Sequence, residues 1–202
     1  EGDRFSGLVR NGTNDPLIMH WHGQVLAPAE QDRARPDGGT LAVGAEDQHD
    51  FALTPGTHWM HSHQLTEQQL LAAPMITRER DAGDIQDVVL MLHDFSFRAP
   101  AEILAGLGGS SVHSGHGSAS APAPTRGGMG GMNHAGEIPM PGMMSGMKQH
   151  ANDVEYDAYL ANDRTLDDPE IIRVEKGQQL RLRVINGATA TAFFLDTGAL
   201  EA

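Results

Sequence analysis

The chain contains no cysteine, few basic residues and no long apolar run, and each of these absences excludes a class of structure. Without cysteine it forms no disulfide, which leaves its redox compartment undecided. Its 14 basic residues against 27 acidic ones give a formal net charge of −13, which disfavours binding to nucleic-acid phosphates. No apolar run reaches the roughly 18 residues of a membrane span. We therefore expect no nucleic-acid partner and no membrane span.

What the chain does contain is two His-X-His triplets, His20-Trp21-His22 and His61-Ser62-His63. Alternate residues of a strand project to one face, so each triplet predicts two imidazoles on one side of a sheet. Same-face positions lie roughly 7 Å apart, a spacing that suits neighbouring ions better than one chelated ion. A single triplet can arise by chance, but both triplets lie beside turns at strand ends. The pattern predicts a polynuclear metal site.

Short apolar runs broken by Gly, Pro and Asp turns predict an antiparallel β-sandwich. A short helix is predicted at residues 101–105, before a stretch rich in Gly, Ser, Pro and Met that cannot bury a core. The predicted strands span residues 5–9, 17–22, 50–53, 59–63, 74–77, 88–93, 171–174 and 180–185.

Five segments of the chain resemble the amino-terminal half of the multicopper oxidases, particularly the bacterial laccase-like and copper-resistance members. The first is His20-Trp21-His22-Gly23, and the others follow in the family's order. The resemblance implies an all-β, cupredoxin-like Greek-key sandwich, with one near-complete domain and the start of a second. The other matching segments are residues 36–39, 55–63, 88–97 and 152–165.

The resemblance also implies the domain boundaries and the compartment. It divides the chain into a first cupredoxin-like domain at 1–98, whose earliest strands are missing, a flexible linker at 99–152, and the beginning of a second domain at 153–202. It implies a periplasmic or secreted location.

The family's motifs assign a metal role to each of four histidines. His20 matches the ligand of the type 2 copper, and His22, His61 and His63 match ligands of the type 3 coppers. Neutral imidazole suits copper, and a copper cluster can pass electrons to dioxygen without releasing partly reduced oxygen. The resemblance therefore implies a laccase-like oxidase that takes single electrons from phenols or metal ions and reduces dioxygen to water.

One family feature is missing from the 202 residues. The type 1 copper requires a cysteine thiolate flanked by further histidines, but this chain has no cysteine and no histidine after His150. We therefore expect a fragment that supplies half of the trinuclear ligands, depends on the remaining domains of the oxidase and is inactive alone. Its substrate and its oligomeric state cannot be predicted from these residues.

Asp37 is the candidate catalytic residue. In several family members an acidic residue in the matching segment lies near the type 2 copper and assists proton delivery to reduced oxygen. The structural alternative is equally open, because Pro36-Asp37-Gly38-Gly39 has the composition of a good turn.

The segment before His150 holds six of the ten methionines together with several histidines. Thioether sulfur prefers Cu(I), so this segment either captures copper transiently or is a flexible linker of biased composition. The alternative for the whole chain is a noncatalytic copper-binding or copper-resistance module. A zinc site is less favoured, because zinc prefers one compact tetrahedral set of ligands.

Three further histidines are predicted to have structural roles or none. His58 is expected to pack beside the site, and His93 is expected to form a pair with Asp94. His49 has no predicted partner. Trp21 and Trp59 are expected to pack around the ligands and restrict their rotamers.

Overall fold

The computed structural model describes residues 3–108 and 154–198. Within these ranges most regular elements are strands, accompanied by one α-helix and one 3-10 helix. The elements in chain order are β1 (Arg4–Arg10), β2 (Met19–His22), β3 (Glu46–Ala52), β4 (Gly56–Ser62), the 3-10 helix (Leu65–Gln69), β5 (Ala72–Thr77), β6 (Gln86–Phe95), α1 (Pro100–Gly108), β7 (Ala158–Ala161) and β8 (Leu180–Asn186).

Most predicted strands are present, although they begin and end at residues different from those predicted. One predicted strand is absent. The strand predicted at residues 171–174 does not form, because this segment is exposed and pairs with no described strand. Ile171 there is 84% exposed. A strand needs a neighbour for its backbone hydrogen bonds, and apolar composition alone does not supply one. The strand β7 was not predicted as a separate element.

The described strands form three small sheets. In the first, β1 pairs with β3, and in the second, β2 pairs with β4 and β4 with β5, all antiparallel. In the third, β6 pairs antiparallel with β7 and parallel with β8. The parallel pairing of β6 with β8 joins strands of the two predicted domains, and the sequence pattern does not predict it.

The core lies where the first two sheets meet. Trp21 of β2 and Phe51 of β3 are 5% and 2% exposed, and their ring centroids are 5.6 Å apart. Phe5 of β1 adds a third ring, 4.9 Å from Trp21. Aromatic rings at such distances stabilise a core beyond the area they bury. The other buried members are Leu17, Met19, Ala27 and Leu41.

His49 is buried within this aromatic core. It is 1% exposed, and neither ring nitrogen has a hydrogen-bond partner. Its ring centroid lies 5.2 Å from that of Trp21. Burial lowers the pKa of His49, so the imidazole is neutral at neutral pH. It acts as a packing residue.

Strand β6 joins the two described ranges into one sheet. The predicted boundaries place β6 in the first domain and both of its partners in the second. Since β6 makes its backbone hydrogen bonds with β7 and β8, one sheet contains strands from both predicted domains. Most of the predicted linker lies outside the described residues.

A buried charge network connects β8 to the earlier strands. The guanidinium of Arg183, which is 4% exposed, donates to Asp87 at 2.8 Å, to Glu79 at 2.8 Å and to the Thr57 hydroxyl at 3.0 Å. Its hydrogen bonds lower the pKa of Glu79 to about 2. The network therefore stays ionised at neutral pH and fixes β8 against β4, β5 and β6.

Candidate metal centre

Antiparallel pairing of β2 with β4 brings the two His-X-His triplets together. His20 lies directly opposite His61 in the register, and His22 lies opposite Trp59. Strand alternation turns Trp21 into the core and leaves the imidazoles of His20 and His22 on the other face. His63 follows the end of β4, where its backbone N–H donates to the carbonyl of Ile18 at 2.8 Å.

The four imidazole rings form one cluster. The ring centroid of His20 lies 5.2 Å from those of His22 and His61 and 5.6 Å from that of His63. One nitrogen from each of His20, His22 and His61 lies within 4.8 Å of the other two. The rings converge, so they approach more closely than the roughly 7 Å backbone spacing suggests. The backbone spacing therefore does not prevent the imidazoles from binding a single ion together.

His20 is oriented by a carboxylate that the sequence reasoning missed. Asp32, only 2% exposed, places Oδ1 2.7 Å from Nδ1 of His20, and its Oδ2 accepts a hydrogen bond from Nε of Arg35 at 3.1 Å. A carboxylate at Nδ1 keeps the proton there and leaves Nε2 free to bind a metal. The sequence signal was an aspartate just before two arginines, Arg33 and Arg35, in a loop that also contains Pro and Ala, and strand periodicity does not interpret such a loop.

His61 is the most deeply buried of the four histidines. Its Nδ1 donates to the Ser62 carbonyl at 3.1 Å and lies 3.0 Å from Oε1 of Glu67. Trp59 stacks on the imidazole, with the ring centroids 4.0 Å apart and the planes 10° from parallel. The stacked indole restricts rotation of His61, in agreement with the packing role expected for Trp59.

His22 completes the three-nitrogen group. Its Nδ1 lies 3.4 Å from Nε2 of His61. Partial burial, and then the proximity of His20 and His61, lower the pKa of His22. The imidazole is therefore neutral at neutral pH, which is the form that binds metal ions. The donor set, three imidazoles facing one another, fits copper.

Asp37 lies apart from these contacts. It is exposed and adopts a left-handed backbone with φ of 69°, within the turn that its neighbours predict. Among the described residues, no hydrogen bond or ion pair joins its carboxylate to the four histidines.

Gly23, which follows the first triplet, is required by local geometry. Its φ is +87°, and a Cβ there would lie 2.1 Å from Nδ1 of His58. His58 itself places Nε2 3.2 Å from the carbonyl of Pro55. The glycine therefore lets the His58 ring pack directly behind the first triplet.

The predicted pairing of His93 with Asp94 is wrong. His93 is buried, and neither of its ring nitrogens has a hydrogen-bond partner. The Asp94 carboxylate instead accepts from the backbone N–H groups of Thr189 and Ala190 at 2.9 and 3.0 Å and from the Thr191 hydroxyl at 2.9 Å. Strand alternation turns consecutive side chains to opposite faces, which separates the two groups.

The Met- and His-rich segment predicted to capture copper lies outside the described residues. Within the described ranges, no helix is both long enough and apolar enough to cross a membrane.

Comparison with known proteins gives relatives of one kind. No family model matches the chain. The chain is 28% identical over 199 residues to the multicopper oxidase MmcO of Mycobacterium tuberculosis, covering 95% of this chain and 36% of that protein. It is 30% identical over 111 residues to copper resistance protein A of Escherichia coli, covering 52% of this chain and 18% of that protein. The chain thus spans about a third or less of the length of these curated relatives.

A solved structure supports the fold. The blue copper oxidase from Nitrosomonas europaea superposes with a TM-score of 0.55 at 21% identity, covering 93% of this chain and 49% of that one. The predicted fold class is therefore confirmed as all-β and cupredoxin-like. Copper is the metal that the relatives' names imply. The chain is therefore similar to part of multicopper oxidases and copper resistance proteins, and it shares the fold of a blue copper oxidase.

Proposed function

We propose that this chain forms part of a laccase-like multicopper oxidase that oxidises phenols or metal ions by single electrons and reduces dioxygen to water. The observation that carries the proposal is the convergence of His20, His22 and His61 within 4.8 Å, on a face where His63 joins them. Four imidazoles are half of the trinuclear ligand set that the resemblance implies. The other half, the type 1 cysteine and the substrate pocket would come from further domains of the oxidase.

In this proposal His20 holds the type 2 copper, and His22, His61 and His63 hold type 3 coppers. Bound copper would supply one-electron redox chemistry toward dioxygen. The chain's own contribution is orientation: Asp32 fixes the ring of His20, and Trp59 fixes the ring of His61. A periplasmic or secreted location is proposed on the family resemblance.

The test uses the intact protein that contains this chain. We expect purified protein to contain several coppers and to consume oxygen with a phenol, Fe(II) or Cu(I) as reductant. A His20→Ala/His61→Ala variant should lose both copper and oxygen consumption, because two of the three converging nitrogens are removed. Copper content without oxygen consumption by the parent protein would contradict the oxidase and support a noncatalytic copper-binding module.

That second candidate is favoured by one observation. The nitrogens of His20, His22 and His61 are close enough to bind a single ion without any other domain. A mononuclear site of this kind would sequester copper rather than reduce oxygen. Bound zinc in place of copper would contradict both candidates.

The roles of the two aspartates can be separated by matched Asp→Asn variants. We expect Asp32→Asn to weaken copper binding about 10-fold or more, because a ligand imidazole loses the carboxylate that orients it. Asp37→Asn should leave copper content unchanged and, if Asp37 delivers protons, slow oxygen reduction. Copper titration and oxygen uptake of the intact variants measure the two effects.

Each aspartate proposal has its own contrary result. Unchanged copper affinity in Asp32→Asn would show that its contact with His20 is not needed for binding. Unchanged oxygen reduction in Asp37→Asn would leave that residue with the turn role that its backbone conformation favours.

A further inference from the structure

The Nδ1 atom of His61 has two acceptor groups beside it. The Ser62 carbonyl lies 3.1 Å away and a carboxylate oxygen of Glu67 lies 3.0 Å away. A carbonyl and an ionised carboxylate can only accept hydrogen bonds, so both favour a proton on Nδ1. The lone pair of the neutral ring is then on Nε2, the nitrogen that faces His22.

The chain holds Glu67 in place through the 3-10 helix that follows β4. The helix begins with a hydrogen bond from the Glu67 N–H to the Gln64 carbonyl at 3.0 Å, and the Ser62 and Thr66 hydroxyls lie 2.5 Å apart. On the other side, the buried Gln68 side chain donates to the Asp94 carbonyl at 3.3 Å. The carboxylate is therefore presented to His61 by a segment anchored to two strands.

The surroundings of Glu67 limit its exchange with water. The side chain is 27% exposed. It also lines a mainly apolar cavity of about 240 Å³ together with Leu65, Ile103 and Leu104. A carboxylate beside apolar groups interacts more strongly with a nearby N–H than one in open solvent.

We infer that Glu67 is a positioning residue for the metal centre, which holds the proton on Nδ1 of His61 and makes Nε2 the metal ligand. A carboxylate at the outer nitrogen of a ligand imidazole fixes its tautomer and raises the basicity of the inner nitrogen. Glu67 lies four residues after His63, outside both triplets, and no strand periodicity points to it. The inference rests on the proposed copper-binding function of His61.

The first arm of the test needs no metal and no variant. In the intact, metal-free protein that contains this chain, ¹⁵N-edited NMR of histidine rings at neutral pH should show His61 with its proton on Nδ1. A proton on Nε2 would overturn the inference. Because this arm reads the metal-free ring, it distinguishes failure of the Glu67 contact from failure of the proposed copper site.

The second arm measures copper affinity by competition with a chelator. We expect Glu67→Gln to weaken binding of Cu(I) about 10-fold, because the amide keeps the shape but loses the charge, and Glu67→Asp to recover part of the loss. Gln69→Ala, an exposed change on the same helix, is the matched control and should leave the affinity unchanged.

The copper result has a clear contrary outcome. Equal affinities of the parent chain and Glu67→Gln would overturn the inference, provided that circular dichroism shows both to be folded. An affinity loss in Gln69→Ala as large as that in Glu67→Gln would also overturn it. Disturbance of the 3-10 helix, and not loss of the Glu67 carboxylate, would then explain the weaker binding. An intact parent protein that binds no copper would contradict the proposed function, and the NMR measurement would still test the contact between Glu67 and His61.

Discussion

Replacement of Arg183 with methionine is expected to lower the free energy of unfolding by about 3–5 kcal/mol. The guanidinium is 4% exposed and hydrogen bonds to two carboxylates and a hydroxyl. Methionine fills much of the volume but removes the most buried partner of Asp87 and Glu79, which keep their contacts with the more exposed Arg78 and Arg181. Urea denaturation followed by circular dichroism measures the loss.

Arg181 provides the matched control on the same strand. It also contacts Glu79, at 2.9 Å, but its side chain is 32% exposed, so Arg181→Met should change the stability by less than about 1 kcal/mol. Equal losses for the two variants would contradict the argument, because burial would then not distinguish them.

The pH dependence of the free energy of unfolding provides an independent test of the same network. Hydrogen bonds from Arg183 lower the pKa of Glu79 from its ordinary value of 4.5 to about 2 in the folded chain. A lowered carboxyl pKa gives stability that is present above the unfolded pKa and is lost as the pH falls through the folded one. The difference between the parent chain and Arg183→Met should therefore persist from neutral pH to about 4.5 and shrink toward pH 2.

Truncation of Phe51 to alanine is the other large effect that we expect, a loss of about 3–5 kcal/mol of stability. The side chain is 2% exposed, and its ring centroid lies 5.3 Å from that of Phe5 and 5.6 Å from that of Trp21. A cavity there also removes support from Trp21, which lies between two of the proposed ligands. Thermal unfolding of the metal-free chain measures the loss without any contribution from copper.

Phe97 is the control for this prediction. It is 84% exposed, so Phe97→Ala should change the stability by no more than about 0.5 kcal/mol. A loss below about 1 kcal/mol for Phe51→Ala would mean that the three-ring cluster does not hold the two sheets together.

The face of the metal centre was predictable because it depends on local rules. Strand alternation determines that His20 and His22 share a face and that Trp21 opposes them. Turn chemistry likewise explains the left-handed backbone of Asp37. These features involve residues within a few positions of one another, and a single sequence contains that information.

The residues that orient the proposed ligands were not predictable in this way. Asp32 lies in an irregular loop and Glu67 on a 3-10 helix, so neither position follows the period of a strand. Their contacts with His20 and His61 depend on the path of the backbone between elements. For the same reason the resemblance pointed to Asp37, the acidic residue within a recognisable motif, while the buried carboxylate lies five residues earlier.

The parallel pairing of β6 with β8 affects the order in which the protein can fold. Gln86 pairs with Leu180, so this ladder closes a loop of more than 90 residues. The pairing of β2 with β4 spans a much shorter stretch and can form first, because closing a short loop costs less entropy. Pairing of β2 with β4 can therefore bring the imidazole cluster together before Arg183 neutralises Glu79 and Asp87.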